Sequence, residues 1–281
     1  MLVPPSSPQN YYNRSMNTRA IGIFDSGLGG LTILKTLSKA LPKENLIYFG
    51  DTVNTPYGSK SKAAITRFSL DIARFLEQQG VKLIVVACNT ASALALAELQ
   101  KKISVPVIGV IEPGALAAAR STQNGRVAVL ATEATVHSKA YPLALQRLDK
   151  RIRAFQRACP MFVPLIEEGW THKSAGPLIV QDYLAPVARS GADTVILGCT
   201  HYPVIKRLIA QTLGKKIHLV DSADVVAEEV KTRLTRTDRL NPRGRGSLKI
   251  YASDDPARFK RLAKHILGRE LPRVYLKKLN P

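Results

Sequence analysis

Acidic side chains, cysteines and long apolar stretches are all scarce in this sequence, and each scarcity removes a class of explanation. The three cysteines are too few, and odd in number, to form a disulfide framework in a chain of 281 residues. A reducing, cytoplasmic setting is the expectation. No apolar run approaches the ~18 residues that a membrane span needs. Residues 1–19 are rich in Pro, Ser, Asn and Tyr and lack an apolar h-region, so they read as a flexible N-terminal extension rather than a secretory leader. His137, His172, His218 and His265 make no metal-ligand spacing with the cysteines, and no metal site is expected.

Against 21 Asp and Glu stand 41 Lys and Arg, a formal net charge of +20. The excess concentrates toward the end: residues 231–281 hold 15 basic side chains and 4 acidic ones. Such a region can meet a polyanion. It has no interleaved aromatics and no nucleic-acid motif, which favours a solvated basic face and leaves a nucleic-acid contact unsupported.

What the chain does contain is one device used twice. Gly80 precedes the apolar run Leu83 to Ala87, which ends in Cys88-Asn89-Thr90. Gly191 precedes Thr194 to Gly198, which ends in Cys199-Thr200-His201. In both, the cysteine follows the glycine by eight residues. A short continuous apolar run bounded by turn residues is the pattern of a buried parallel strand, and ligands of open α/β sheets bind beyond the carboxyl ends of the strands. Free cysteine is often no more than a small buried hydrophobe. Here side-chain donors and acceptors follow each cysteine directly, and that favours chemistry. Ser26 and Thr132, each after its own strand, lie 106 residues apart, against 111 for the two cysteines, which agrees with a duplicated layout.

Strands are expected at 19–24, 46–49, 83–87, 105–111, 126–130, 194–198 and 217–220. Helices are expected at 31–41, 61–79, 91–102, 115–121, 178–190 and 223–234, residues 258–267 read as helix-like, and residues 237–247 read as a polar loop. Glu112-Pro113-Gly114 is expected to break the strand before it. The alternation gives the fold class: α/β, two pseudo-symmetric three-layer domains with mainly parallel sheets, the active site in the cleft between them. The expected division assigns 20–113 plus 221–281 to the first domain and 114–220 to the second.

Asp25-Ser26-Gly27-Leu28-Gly29-Gly30 follows a strand and opens a helix. Its glycines let backbone N–H groups approach an anion, as helix N-termini favour. The spacing is not that of a dinucleotide loop, and no phosphate-loop lysine follows; a carboxylate would suit it. Cys159, just before Pro160, has no polar sequel and reads as a structural or surface thiol.

Taken together, the motifs resemble the glutamate racemases of the aspartate/glutamate racemase superfamily. They are Phe24-Asp25-Ser26-Gly27 with Gly29-Gly30, Pro56-Tyr57-Gly58, Ala87-Cys88-Asn89-Thr90, Thr132-x-x-Thr135, Pro164-Leu165-x-Glu167 and Gly198-Cys199-Thr200-His201. Their order from about residue 21 to 222 is specific in a way that no single one is.

The resemblance implies an isomerase that interconverts L- and D-glutamate without a cofactor and supplies D-glutamate for peptidoglycan. One thiol would take the α-proton while the other returns one to the opposite face; no lysine signature calls for pyridoxal. By the same resemblance Cys88 would act on the D-enantiomer, assisted by Asp25, and Cys199 on the L-enantiomer, assisted by His201 and Glu167. Ser26, Asn89, Thr90, Thr132 and Thr200 would hold the substrate, with Pro56, Tyr57 and Gly58 lining the pocket. Aspartate racemases usually carry glutamate where His201 stands, so glutamate is the expected substrate. A homodimer without membrane contact is implied. Some relatives are linked to inhibition of DNA gyrase, and nothing in these residues supports a gyrase contact here. The family often has Ala-Arg before the Pro-Tyr-Gly turn, where this chain has Asn54-Thr55.

Overall fold

The computed structural model describes residues 17–242, 244–268 and 270–279, so the extension expected over 1–19 lies, but for its last three residues, outside them. Among the described residues ten strands form two sheets, and every pairing is parallel. They are β1 (Ile21–Asp25), β2 (Leu46–Gly50), β3 (Leu83–Val86), β4 (Val107–Gly109), β5 (Arg126–Ala131), β6 (Arg153–Ala158), β7 (Thr194–Gly198), β8 (His218–Asp221), β9 (Leu248–Ala252) and β10 (Val274–Leu276). The first sheet runs β10-β9-β2-β1-β3-β4 and the second β6-β5-β7-β8.

Side chains alternate across each strand, so a parallel sheet covered on both sides needs apolar residues at nearly every position. Ile21, Ile23, Leu83 and Val85 join one core, while Phe24, Ile84 and Val86 join the core on the other face. The second sheet repeats this: Ala128, Leu130, Val195 and Leu197 fill one side, and Val127, Val129 and Ile196 the other. Each sheet is thus the middle of three layers. The twelve α-helices among the described residues are α1 (Leu31–Ala40), α2 (Lys62–Gln78), α3 (Asn89–Leu94), α4 (Leu96–Lys102), α5 (Ile111–Ser121), α6 (Glu133–Ser138), α7 (Ala140–Leu148), α8 (Phe162–Glu167), α9 (Ala175–Arg189), α10 (Lys206–Leu213), α11 (Ser222–Arg236) and α12 (Pro256–Leu267). After β8 the chain returns to the first sheet, where Val226, Val230 and Phe259 join its core. Among the described residues no helix is long and apolar enough to cross a membrane.

Several elements differ from the sequence expectation. The helix expected over 91–102 is broken into α3 and α4 at Ala95, whose φ is −115°. Glu112-Pro113-Gly114 does not merely end a strand; it forms the first turn of α5, where a proline lacks no needed hydrogen bond. Strands β6, β9 and β10 and helices α6, α7, α8 and α10 had no expected counterpart. β6 reads Arg-Ala-Phe-Gln-Arg-Ala and β10 is three residues, so neither has the apolar run of a central strand, and both are edge strands.

Candidate active site

In both sheets the chain leaves its first strand for a neighbour on one side and then crosses to the other. β1 is flanked by β2 and β3, and β5 by β6 and β7. A crevice opens at the carboxyl ends where the order reverses, between β1 and β3 in one sheet and β5 and β7 in the other. Ser26 follows β1, Cys88 follows β3, Thr132 follows β5 and Cys199 follows β7. The two crevices face each other across a seam of hydrogen bonds. Thr90 and Thr132 hydroxyls lie 2.9 Å apart, the Tyr141 hydroxyl donates to Asn89 Oδ1 at 2.7 Å, and Thr200 Oγ1 donates to Asp25 Oδ1 at 3.2 Å.

Cys88 caps α3: its Sγ accepts from the Ala91 N–H at 3.5 Å and lies 3.6 Å from Ser26 Oγ. Burial pushes the thiol up to about 12, and the nearby Asp25 carboxylate adds to the rise. Asp25 is fully buried, with Gly27 N–H donating to its second oxygen at 2.9 Å. Burial raises its pKa too, opposed by the positive charge of His201 and by hydrogen bonds from Gly27, Gly30 and Thr200.

Cys199 has a different neighbourhood. Behind it comes a short 3₁₀ turn, Tyr202–Ile205, which leads into α10. The charge beside this thiol comes instead from His201, whose Nδ1 is 3.9 Å from Sγ and whose Nε2 is 2.9 Å from Glu167 Oε1. Burial by itself would lower the His201 pKa, but hydrogen bonds to Cys199 and Glu167 outweigh it and push it up to about 10. At neutral pH the site therefore holds an imidazolium beside Cys199 and a protonated thiol at Cys88.

The glycine-rich loop owes its composition to packing at this seam. A Cβ on Gly29 would collide with Thr200 Oγ1 and lie 2.5 Å from His201 Nδ1, and one on Gly30 would lie 2.5 Å from Asp25 Cβ. Gly58 approaches Thr132 equally closely, with its Cβ position 2.8 Å from that of Thr132. Pro56 is exposed, and Tyr57 is buried with its hydroxyl donated to Asp51 Oδ2 at 2.6 Å. Asn54 also donates to Asp51. Cys159 is buried, its thiol 3.6 Å from the Arg157 carbonyl, and burial pushes its pKa up to about 12.

Three residues at the site escaped the sequence reading. Thr32 donates to the Thr200 carbonyl at 3.2 Å, Asp51 gathers Asn54, Tyr57 and Ser253, and Tyr141 reaches Asn89. A threonine in the first turn of an expected helix, an aspartate after a strand and a tyrosine among Ala and Leu carry no local signal. Only their cross-chain partners mark them.

Residues 21–230 match the family profile described as Asp/Glu/Hydantoin racemase. The glutamate racemase of Geobacter metallireducens is 51% identical over 261 residues, covering 92% of this chain and 97% of that one. Among solved structures, the glutamate racemase isoform RacE1 from Bacillus anthracis superposes with a TM-score of 0.89 at 34% identity, covering 94% of this chain and 98% of its own. The glutamate racemase from Francisella tularensis in complex with D-glutamate gives 0.88 at 37% identity over 94% of this chain and 99% of its own.

Proposed function

The chain belongs to the Asp/Glu/Hydantoin racemase family and, within it, to the glutamate racemases; from that premise we propose that it racemises glutamate with two cysteines as the only acid and base, without a cofactor. The arrangement that carries this reading is the pair of thiols at equivalent strand ends, one beside an imidazolium and one held neutral by burial.

In this mechanism Cys199 enters as thiolate, stabilised by protonated His201, which Glu167 orients from its far nitrogen. The thiolate takes the α-proton of L-glutamate. The electron pair of the broken C–H bond passes into the α-carboxylate, and the Cys88 thiol delivers its proton to the opposite face. D-glutamate leaves with the negative charge now on Cys88, where Ser26 and the Ala91 N–H receive it. The reverse direction starts from that state. The carbanion is the costly species, and fixed donors in a water-poor site are what lower it. Ser26, Asn89, Thr90, Thr132 and Thr200 are the donors assigned to substrate. Cys88 and Cys199 are only 5% and 7% exposed, which keeps water from competing for the proton. Pro56, Tyr57 and Gly58 frame the mouth, with Asp25 beside the first thiol. The D-glutamate formed would supply peptidoglycan synthesis, and the homodimer implied by the sequence resemblance belongs to the same proposal.

Incubating the protein with L-glutamate in D2O, without pyridoxal, tests this by NMR and chiral analysis. D-glutamate carrying deuterium at the α-carbon is the expected product; absence of both exchange and D-glutamate refutes the activity. Cys88→Ser and Cys199→Ser should each lower the rate at least about 100-fold, the range of a lost general acid or base. Near-normal racemisation by either variant would leave the activity standing and remove the two-thiol mechanism.

A further inference from the structure

Asn89 follows Cys88 directly and is 2% exposed. Its side-chain oxygen is taken by the Tyr141 hydroxyl, while its Nδ2 has no hydrogen-bond partner among the described residues. A buried amide donor left unpaired costs stability, which folding tolerates where a ligand completes the bond. Which end of an amide faces a site is decided by what holds the other end. Here that holder comes from the opposite half of the molecule.

Tyr141 lies on α7, packed over the second sheet, and is fully buried. Its ring lies against Gly198, the residue before Cys199: a Cβ there would be 3.1 Å from the ring and 2.8 Å from the Leu130 carbonyl. On its other side the ring faces Gly114, where a Cβ would be 3.4 Å away. The phenol is therefore packed between two backbone segments, closely against Gly198, where a side chain would collide, and in ordinary contact with Gly114. Burial raises its pKa above the ordinary tyrosine value, so it remains an O–H donor at any working pH. One side chain thus touches the backbone that carries the second thiol and bonds the residue next to the first.

We propose that Tyr141 is a positioning residue for racemisation: its hydroxyl fixes the Asn89 amide so that Nδ2 is presented to a carboxylate of the bound amino acid. This rests on the glutamate racemase reading and deepens it. Because the holder and the held belong to opposite sheets, the donor is oriented only when the two halves are apposed, which links closure of the seam to substrate binding. The amide acts on bound substrate and transition state alike, so its loss appears in KM more than in kcat. The enantiomers have equal free energy in water, so kcat/KM must fall by the same factor in both directions.

A double-mutant cycle on the full-length protein tests the assignment. Tyr141→Phe removes one oxygen and keeps the ring; it should raise KM for D- and L-glutamate about tenfold and leave kcat within twofold. Asn89→Ala should raise KM further, and adding Tyr141→Phe to it should change nothing more. Additive effects of the two substitutions, or an unchanged KM in Tyr141→Phe, overturn the proposal while wild-type turnover of glutamate leaves the underlying activity intact. Asn89→Asp offers a route that spares Tyr141, since a carboxylate still accepts from the phenol but cannot donate. Its KM should rise at least as far as that of Tyr141→Phe, and a wild-type KM overturns the proposal. A wild-type protein that does not racemise glutamate removes both readings together.

Discussion

At the scale of single residues, the two thiols differ in what surrounds them rather than in where they sit. Cys88 is buried near a carboxylate, and both raise its pKa; Cys199 lies beside a histidine whose pKa is raised by its hydrogen bonds to Cys199 and Glu167. The acid and base roles proposed above follow this asymmetry. His201 also ties stability to pH. Its folded pKa, pushed up to about 10 from 6.5, means that its stabilising contribution is fully present below about pH 6.5 and is lost as pH rises through 10. Glu167 is partly exposed, so its share of that contribution is about 1 kcal/mol, or about 2 °C in Tm for a chain of this size. Glu167→Gln should therefore melt about 2 °C below wild type at pH 6, with the gap closing by pH 10 to 11. A gap that stays constant across this range in thermal melts would contradict the ion pair.

At the scale of elements, the recurring unit is a helix that ends on a left-handed glycine and a strand that ends on a cysteine. Gly80 closes the turn after α2 with φ +71°, and Gly191 closes the turn after α9 with φ +70°. A side chain in that conformation costs about 1–2 kcal/mol. Gly80 has open space around it, and the contact at Gly191 is the movable end of Arg126. Gly80→Ala and Gly191→Ala should thus each lose about the same stability, a few degrees in Tm, and keep wild-type kcat. A loss confined to one of them would show that the two turns are not equivalent. The glycines at 29, 30 and 58 do different work, since there the missing Cβ makes room for Thr200, Asp25 and Thr132.

At the scale of the whole molecule, the ends of the first sheet's chain are gathered at one buried charge. Lys82, just before β3, has its Nζ 2.6 Å from Glu44 Oε2 and donates to the carbonyls of Asn17 at 2.7 Å and Arg239 at 2.8 Å. Glu44 Oε1 in turn accepts from the Asn241 N–H at 2.7 Å. The start of the described chain, the α1–β2 turn and the segment after α11 therefore meet at one ammonium. Removing one partner of a buried pair leaves the other charge uncompensated, at a cost of about 3–5 kcal/mol. Lys82→Met should shift the urea midpoint down accordingly with an unchanged slope, and Glu44→Gln in the same chain should recover part of it. An unshifted midpoint would show that this cluster is not what joins the chain's distant segments.

Much of this was legible along the chain. The central strands other than β9 were, because a buried parallel strand must be apolar at nearly every position, and β1, β2, β3, β5 and β7 all are; β9, Leu-Lys-Ile-Tyr-Ala, is only partly buried and has no such run. So was the location of the thiols, because each strand of this kind ends where the apolar run ends. Edge strands β6 and β10 were not legible, since a strand with one neighbour is under weaker pressure to be apolar. Nor was the helix holding Tyr141, whose Ala-Leu pattern names no partner.

By itself, then, the amino-acid sequence determined the central strands β1, β2, β3, β5 and β7, the glycine turns and the chemistry available at the strand ends. All of these depend on local pattern and on burial averaged over a few residues. Only the tertiary structure decided that Thr200 reaches Asp25, that His201 bonds Glu167, and that Tyr141 holds Asn89. Those contacts join residues 175, 34 and 52 positions apart. All three draw strength from exclusion of water: the His201–Glu167 bond forms within the second half, and the other two cross a seam that exists only when both sheets are folded and apposed.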